Sequence, residues 1–280
     1  MRASLNAAAA GVIARQELRI MLRNRWVLAY SAVFAVLTLA ISYFGLTVIE
    51  FTGFQGFERT TASLLNLVLY LVPLASMLMG VQSFSVDGGV TDQLFCEPVT
   101  RAEIVLGKLA GMIAANVLAM LAGFGLAGLA IARSVGTAGL SHYLVLVGFS
   151  ILTGMAFAAL AAFLTIAMRR TARAYAVVLV AWFVLVLLFD LIVIGVSFLL
   201  PEGMANRTAF AATFLNPVDA ARVGALLATG GKEVFGLAGT LLTRSLGGVP
   251  IAVGALVLAL LGWIAVPTSG AILVLNKQDL

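Results

Sequence analysis

Charged residues are scarce in this chain, since Asp, Glu, Lys and Arg together make up 10% of its residues. A soluble domain carries about 25% of them. Hydrophobic residues make up 62%, more apolar surface than a soluble core of this size can bury. The composition therefore predicts a protein whose solvent is lipid, with helices of about 20 apolar residues that cross the bilayer.

Cysteine and histidine are almost missing as well. The chain has one cysteine, Cys96, and one histidine, His142. An internal disulfide is excluded, and no His/Cys metal site is predicted. The sequence contains no phosphate-binding Gly-x-x-x-x-Gly-Lys-Ser/Thr loop, because Leu109 and Glu233 follow its two Gly-Lys pairs. We therefore expect no nucleotide site, no bound cofactor and no catalytic residue in this chain. It also lacks the basic, aromatic-rich face that nucleic-acid binding requires.

Six apolar runs are long enough to cross a bilayer. They predict an all-α, polytopic membrane protein in which residues 1–280 form a single transmembrane domain. The predicted spans are residues 26–46, 62–83, 109–132, 143–168, 174–199 and 249–275.

Lysine and arginine indicate the orientation, because cytoplasmic loops carry an excess of both. With both termini in the cytoplasm, eleven of the 17 Lys and Arg residues lie inside and six outside. Residues 11–25 are amphipathic, with Arg15, Arg19 and Arg23 on one side. We expect this segment to lie in the cytoplasmic interface, with its arginines toward lipid phosphates. The alternative is a short linker that extends the first span.

A polar island interrupts the apolar pattern between the second and third spans. Residues 84–108 form this region, and within 87–108 there are four acidic and two basic residues. Thr100 and Glu103 have the spacing of a capping box, and Pro98 ends any helix before them. A helix, a proline break and a capped helix are rigid enough to transmit a displacement that a partner protein applies. The alternative is a solvated loop without a partner.

Two further features stand out in the second half. Asp190 lies in the middle of the fifth span, where a carboxylate usually faces protein or a cavity. Its predicted role is substrate binding or gating, the alternatives are a packing carboxyl and a dimer contact, and Asn66 and Asn116 are candidate partners. Residues 200–248 form an extramembrane segment expected to cap the spans from the periplasm. Its polar cluster predicts a partner-docking surface or gate, or else a simple helix cap, and consists of Asn216, Pro217, Asp219 and Arg222.

The island resembles the coupling-helix region of ABC-2-type permeases. Those permeases show an acidic-Gly-Thr-Leu start, a later proline, an arginine three residues on and a Gly-Lys pair that enters the third helix. Here the Gly-Thr-Leu part is replaced by residues 88–90, Gly-Gly-Val. The resemblance implies ATPase-coupling roles for Asp87, Gly88, Asp92, Leu94, Pro98, Arg101, Glu103, Gly107 and Lys108.

Two further segments extend the resemblance over nearly the whole chain. The start at 15–26, Arg-Gln-Glu-Leu-Arg through Leu-Arg-Asn-Arg-Trp, and the run 214–219, Phe-Leu-Asn-Pro-Val-Asp, resemble the NosY-like permeases of nitrous oxide reductase maturation. The resemblance implies a bacterial inner-membrane permease that pairs with a second copy of itself and with two ATPase subunits, which bind ATP and Mg²⁺. It also implies a periplasmic accessory protein and a copper- or sulfur-related cargo.

Three other functions stay open at this point. One is a generic ABC-2 exporter of drugs, lipids or glycans. Another is an ion-coupled secondary carrier that works through Asp190 and needs no ATPase. An intramembrane enzyme is the third, although Asp190 has no His or Cys partner within the spans.

Overall fold

The computed structural model describes residues 6–52, 56–85, 99–135, 140–229 and 236–278, and no strand occurs in these ranges. The predicted all-α class is therefore confirmed for the described part of the chain. In chain order the helices are α1 (Ala7–Leu22), α2 (Arg25–Thr52), α3 (Gly56–Phe84), α4 (Arg101–Val135), α5 (Leu140–Met168), α6 (Thr171–Phe183), α7 (Phe189–Leu199), α8 (Glu202–Leu215), α9 (Pro217–Ala228), α10 (Gly236–Leu246) and α11 (Val249–Asn276).

Five helical stretches within the described residues are long and apolar enough to cross a membrane. A sixth is added if α1 and residues 25–41 of α2, which meet at 68°, are counted as one bent span. The chain is thus a multi-pass membrane protein, as the sequence predicts. The five stretches are Leu65–Phe84, Arg101–Arg133, Leu140–Met168, Thr171–Leu199 and Val249–Asn276.

Helix α5 lies at the centre of the bundle and packs against α3 and α11. Small residues make this possible, because Ala158, Ala161 and Ala162 are buried on it and allow neighbouring backbones to approach. A Cβ added at Gly80 of α3 would overlap the side chain of Ala161. In the most apolar 18-residue stretch of each of the α3, α4 and α5 spans, between 61% and 67% of the residues are buried, so these three helices form the core.

Helix α1 packs across α4. It buries Ile13, Glu17 and Met21, which recur at the spacing of one helix face. The predicted arginine face, with Arg15, Arg19 and Arg23, is exposed. The bend at residues 23–24 turns the chain by 68° between α1 and α2, and the interfacial position of α1 stays a prediction.

The fifth span differs from a regular helix. Its two parts, α6 and α7, are joined by the π-helical turn Val184–Leu188. In the most apolar 18-residue stretch of this span only 11% of the residues are buried, and in the corresponding stretch of α11 17% are. These two helices therefore form an outer surface for lipid or for another chain.

Residues 202–228 fold back into the bundle as a helical hairpin, α8 followed by α9. Helix α8 returns along α7, and the turn at residues 214–217 then reverses the chain. The indole N–H of Trp263 donates to the carbonyl oxygen of Phe214 at 3.2 Å, and the Asn216 amide donates to the carbonyl oxygen of Leu185 at 2.8 Å. Leu185 and Trp263 each lie midway along a candidate span, so the turn of the hairpin lies at mid-span depth.

This placement differs from the expectation of a segment that only caps the spans. Helix α9 buries its Pro217, Val218, Ala221 and Leu227 positions and packs on α11 and α5. A Cβ at Gly224 would overlap the Phe149 ring of α5. Helix α9 is too short and too polar to be recognised as membrane-embedded by hydropathy, and its place is fixed by packing.

Candidate functional site

The structure brings Asp190 together with the cluster that the sequence places far from it along the chain. The guanidinium of Arg222, on α9, lies 2.8 Å from the Asp190 carboxylate, measured from Nη1 to Oδ2. The same Nη1 is 3.4 Å from Oδ1 of Asp219, one helical turn earlier. One cation therefore serves two carboxylates. We call Asp190, Asn216, Asp219 and Arg222, with the turn Val184–Leu188, the mid-span cluster.

Asn216 connects the hairpin to the π-helical turn. Its side-chain oxygen accepts from the backbone N–H of Val218 at 3.0 Å, and Pro217 occupies the first position of α9. Its amide nitrogen donates to the Leu185 carbonyl, which belongs to the π-helical turn. Such turns widen the helix and occur often at functional sites. Asn216 thus caps α9 and holds the irregular turn of the fifth span with one side chain.

The mid-span cluster is only partly screened from its surroundings. Asn216 is 1% exposed, whereas the Asp190 side chain is 39% exposed and that of Arg222 25%. The Nε atom of Arg222 is buried and has no hydrogen-bond partner among the described residues. Ion pairs in an apolar setting depend strongly on geometry, because desolvation offsets much of the attraction. A modest rotation of α9 against α7 would therefore change the stability of this site.

One expectation about these residues needs correction. Asn116 donates to the Ser76 hydroxyl at 2.6 Å, and Asn66 is exposed, whereas the described partner of Asp190 is Arg222. The reversal of the chain at the hairpin decides this partner, and local spacing does not show it. Within the polar cluster, Asn216 is the residue that caps α9.

The burial of the cluster bears on its predicted role. Asn216 and Ala220, with 1% and 0% exposure, are not available to another protein in this conformation. These two groups lie inside the hairpin and against the fifth span, so neither can contact another protein without a rearrangement of the hairpin.

A second group of predicted residues lies where α1, α4 and α11 meet, and we call it the α4 junction. The capping box is confirmed, since Glu103 N–H donates to the Thr100 hydroxyl at 3.3 Å and Thr100 N–H donates to the Glu103 carboxylate at 2.8 Å. The other oxygen of Glu103 accepts from the backbone N–H of Asn6 at 2.6 Å. One carboxylate therefore holds the starts of both α4 and α1, where the helix dipoles favour negative charge.

Arg101 joins α4 to the end of α11. Its guanidinium donates to the backbone carbonyl oxygens of Leu275 and Gln278. The Gln278 amide in turn donates to the carbonyl oxygen of Ile166, on α5, at 2.9 Å. Carbonyl groups at a helix end have no partners within the helix, so Arg101 stabilises the end of the last span.

Gly107 and Lys108 hold α1 against α4. A Cβ at Gly107 would lie 2.8 Å from the Ala10 carbonyl oxygen, so only glycine permits this distance. The Lys108 ammonium is 3.8 Å from the Glu17 carboxylate, and both side chains are at least 93% buried. It also lies 5.7 Å from the centre of the Phe84 ring. All four described members of the predicted coupling set therefore make contacts within the chain.

The other five members lie outside the described residues. They are Asp87, Gly88, Asp92, Leu94 and Pro98.

Sequence reasoning missed three contributors to these sites. Glu17 was not considered as the partner of Lys108, although both are charges near apolar runs. Gly111 repeats the close approach of Gly107 one turn later, and the spacing of these two glycines is a signal that the sequence does contain. The π-helical turn at 184–188 has no signal in its all-aliphatic sequence.

Taken together, the bundle, the inward hairpin and the charged mid-span cluster define a polytopic membrane protein with an ion pair at mid-span depth. The chain belongs to the ABC-2 transporter family, because the model of the family described as "ABC-2 family transporter protein" matches residues 12–280.

Two curated relatives agree with this assignment. The chain is 37% identical over 262 residues to "Probable ABC transporter permease protein NosY" of Stutzerimonas stutzeri, an alignment that covers 91% of this chain and 93% of the relative. It is 34% identical over 257 residues to the protein of the same name from Pseudomonas aeruginosa, covering 90% and 92%. The resemblance to NosY-like permeases is thereby confirmed.

Proposed function

We propose that this chain is the transmembrane subunit of an ATP-driven ABC transporter of the bacterial inner membrane. It couples a separate ATPase, which binds ATP and Mg²⁺, to events on the periplasmic side. Membership of the ABC-2 family supports an ATPase partner. The observation that carries the coupling role is the α4 junction, because the segment next to the predicted ATPase dock is tied to two other helices.

The contacts suggest how a displacement caused by the ATPase would be transmitted through the chain. Pressure on residues 87–108 moves the start of α4, and Arg101 passes the movement to the end of α11. Helix α11 carries Trp263, which binds the carbonyl at the turn of the hairpin. Its Leu256 and Leu260 side chains are fully buried in the core cluster that includes α9 residues. The hairpin then acts on the mid-span cluster, where Arg222 pairs with Asp190.

The resemblance to NosY-like permeases supports a more specific role. We infer that the complex contains two copies of this chain and two ATPase subunits, and that it serves nitrous oxide reductase maturation by delivery of copper or sulfur. A periplasmic accessory protein would receive the movement or the cargo at the side that α8 and α10 face. The pairing of Asp190 with Arg222 argues against an ion-coupled carrier, since the carboxylate already has a cation.

Docking and coupling are expected to separate in two variants. Asp92→Lys reverses a charge in the predicted dock and should reduce the amount of ATPase that co-purifies in mild detergent. Arg101→Gln removes the link to α11 and should leave the ATPase bound while its transport-linked activity falls about tenfold, as loss of a charge-assisted hydrogen bond of about 1.4 kcal/mol implies. Arg133→Gln, at an exposed arginine of the last turn of α4, is the matched control.

Each variant has its own contrary result. If the same amount of ATPase co-purifies with Asp92→Lys, the prediction that this segment docks the ATPase would be contradicted. Normal coupled activity with Arg101→Gln would show that α11 does not receive the movement through α4. ATP hydrolysis by the purified chain without a partner would contradict the proposed function itself.

A further inference from the structure

A groove of about 460 Å³ runs between α7 and α8. Ligand sites for molecules of moderate size have about 300–1,000 Å³. The walls are apolar, with Ile192 and Val196 on α7 and Met204, Ala211 and Leu215 on α8, and Arg207 is the single charged residue among the described ones that line it.

The two helices that form the groove leave much of their apolar surface exposed. Helix α7 has no buried residue along its length. Phe198 and Leu199, at its end, are 86% and 85% exposed. An apolar groove with such walls suits an apolar occupant, and an apolar chain inside it would add packing between α7 and α8.

The dimensions of the groove match one leaflet. It extends from Met204 to Leu215, about 17 Å along α8 at 1.5 Å per residue. The hydrocarbon half of a bilayer is about 15 Å thick. Leu215 precedes the turn at mid-span depth, and Arg207 lies about 8 Å along α8 from its start near the membrane boundary. Because arginine extends its charge toward the interface, the guanidinium of Arg207 reaches the level of the headgroups.

Charge decides which occupant fits. Arg207 is exposed and makes no ion pair with any described residue, and no acidic residue is among the described ones that line the groove. A phosphate group would supply the missing negative charge through charge-assisted hydrogen bonds. A second copy of this chain docking groove to groove would instead bring a second arginine into the same apolar space.

We propose that the α7–α8 groove binds one anionic phospholipid per chain, with its phosphate at Arg207 and one acyl chain between the two helices. The end of that acyl chain lies next to Phe189 and Leu215, which adjoin the mid-span cluster. The lipid therefore stabilises the inward position of the hairpin. This role does not depend on which cargo the transporter serves.

The test uses the permease–ATPase complex, stripped of lipid by detergent washing. Dioleoyl phosphatidylglycerol in mixed micelles is expected to raise the midpoint of thermal unfolding of the wild type, and phosphatidylcholine to have little effect. Native mass spectrometry should show about one phosphatidylglycerol for each copy of the chain. Arg207→Gln should weaken binding about tenfold, the loss expected for a charged hydrogen bond, whereas Arg133→Gln should not.

Ala211→Trp, which fills the groove, should abolish the effect of phosphatidylglycerol without needing any change in charge. Equal responses to the two lipids, or equal binding by the wild type and Arg207→Gln, would overturn the proposal. So would efficient disulfide cross-linking between two copies through Ala211→Cys, because it would show that a second chain occupies the groove. If Ala211→Trp does not fold, the comparison of the two lipids on the wild type and Arg207→Gln still decides the matter.

Discussion

Arg222→Ala is expected to be the most damaging single substitution in the hairpin. It leaves the carboxylates of Asp190 and Asp219 in an apolar setting without their shared cation. Removal of one partner from a buried ion pair costs about 3–5 kcal/mol, and the partial exposure of the Asp190 side chain reduces the expected loss here to about 2 kcal/mol. We expect a lower midpoint of thermal unfolding and an ATP-coupled activity reduced at least about tenfold, measured on the assembled complex.

Asp190→Asn should have a smaller effect on stability, because Arg222 keeps Asp219 as a partner. The double variant Asp190→Asn with Arg222→Gln should lose less than the sum of the two single variants, which isolates the interaction between the two side chains. Arg244→Ala, at an exposed arginine of α10, is the matched control. Wild-type unfolding and activity in Arg222→Ala would show that the cluster neither holds the hairpin nor transmits movement, and full activity in Asp190→Leu would leave Asp190 a packing residue.

Gly111→Ala is expected to separate α1 from α4. The added Cβ would overlap the carbonyl oxygen of Ala14 and lie 2.7 Å from Cβ of Glu17. Since backbone atoms cannot move aside as a side chain does, the two helices must part, at a cost of about 1–3 kcal/mol. The movement would also lengthen the Glu17–Lys108 pair, which is already at 3.8 Å. Thermal unfolding and hydrogen exchange of the α1 amides would measure the effect.

Gly125→Ala is the control for that experiment. It lies on the same helix, and a Cβ there would meet nothing within 4 Å. Because alanine favours helix over glycine by up to about 1 kcal/mol, this variant should be as stable as the wild type or more so. If Gly111→Ala also proved neutral, α1 would not be held by a close approach of backbones.

Hydropathy and turn chemistry were sufficient to predict much of the architecture. The last span was predicted at 249–275 and α11 occupies Val249–Asn276. The Thr100–Glu103 capping box depends only on residues three apart, so its sequence pattern was a reliable guide. The helix of the third span begins at Arg101, whereas hydropathy predicted a start at residue 109. The capping box explains the difference, because it starts the helix within a charged segment.

The contacts that define the candidate site could not be predicted in the same way. Asp190 and Arg222 are far apart along the chain, and they meet because α8 runs back beside α7 before α9 begins. No local pattern predicts that reversal, since α8 and α9 have the sequences of short, polar helices. Arg101 likewise has a partner 174 residues away. That partner is a backbone carbonyl group at a helix end, and every helix end offers such groups whatever its sequence. The separate features were visible in the sequence, and their juxtaposition was not.

The dependence of α9 on α11 also sets an order of events during biosynthesis. When α9 leaves the ribosome, its Asp219 and Arg222 make it a poor substrate for direct release into lipid. Part of the surface that buries it, with Ala252, Leu256 and Leu260 of α11, has not yet been made. We therefore expect the hairpin to complete its packing in the bundle only after the last span is inserted. Nascent chains stopped at Gly248 should leave residues 202–228 open to proteases that the finished protein resists.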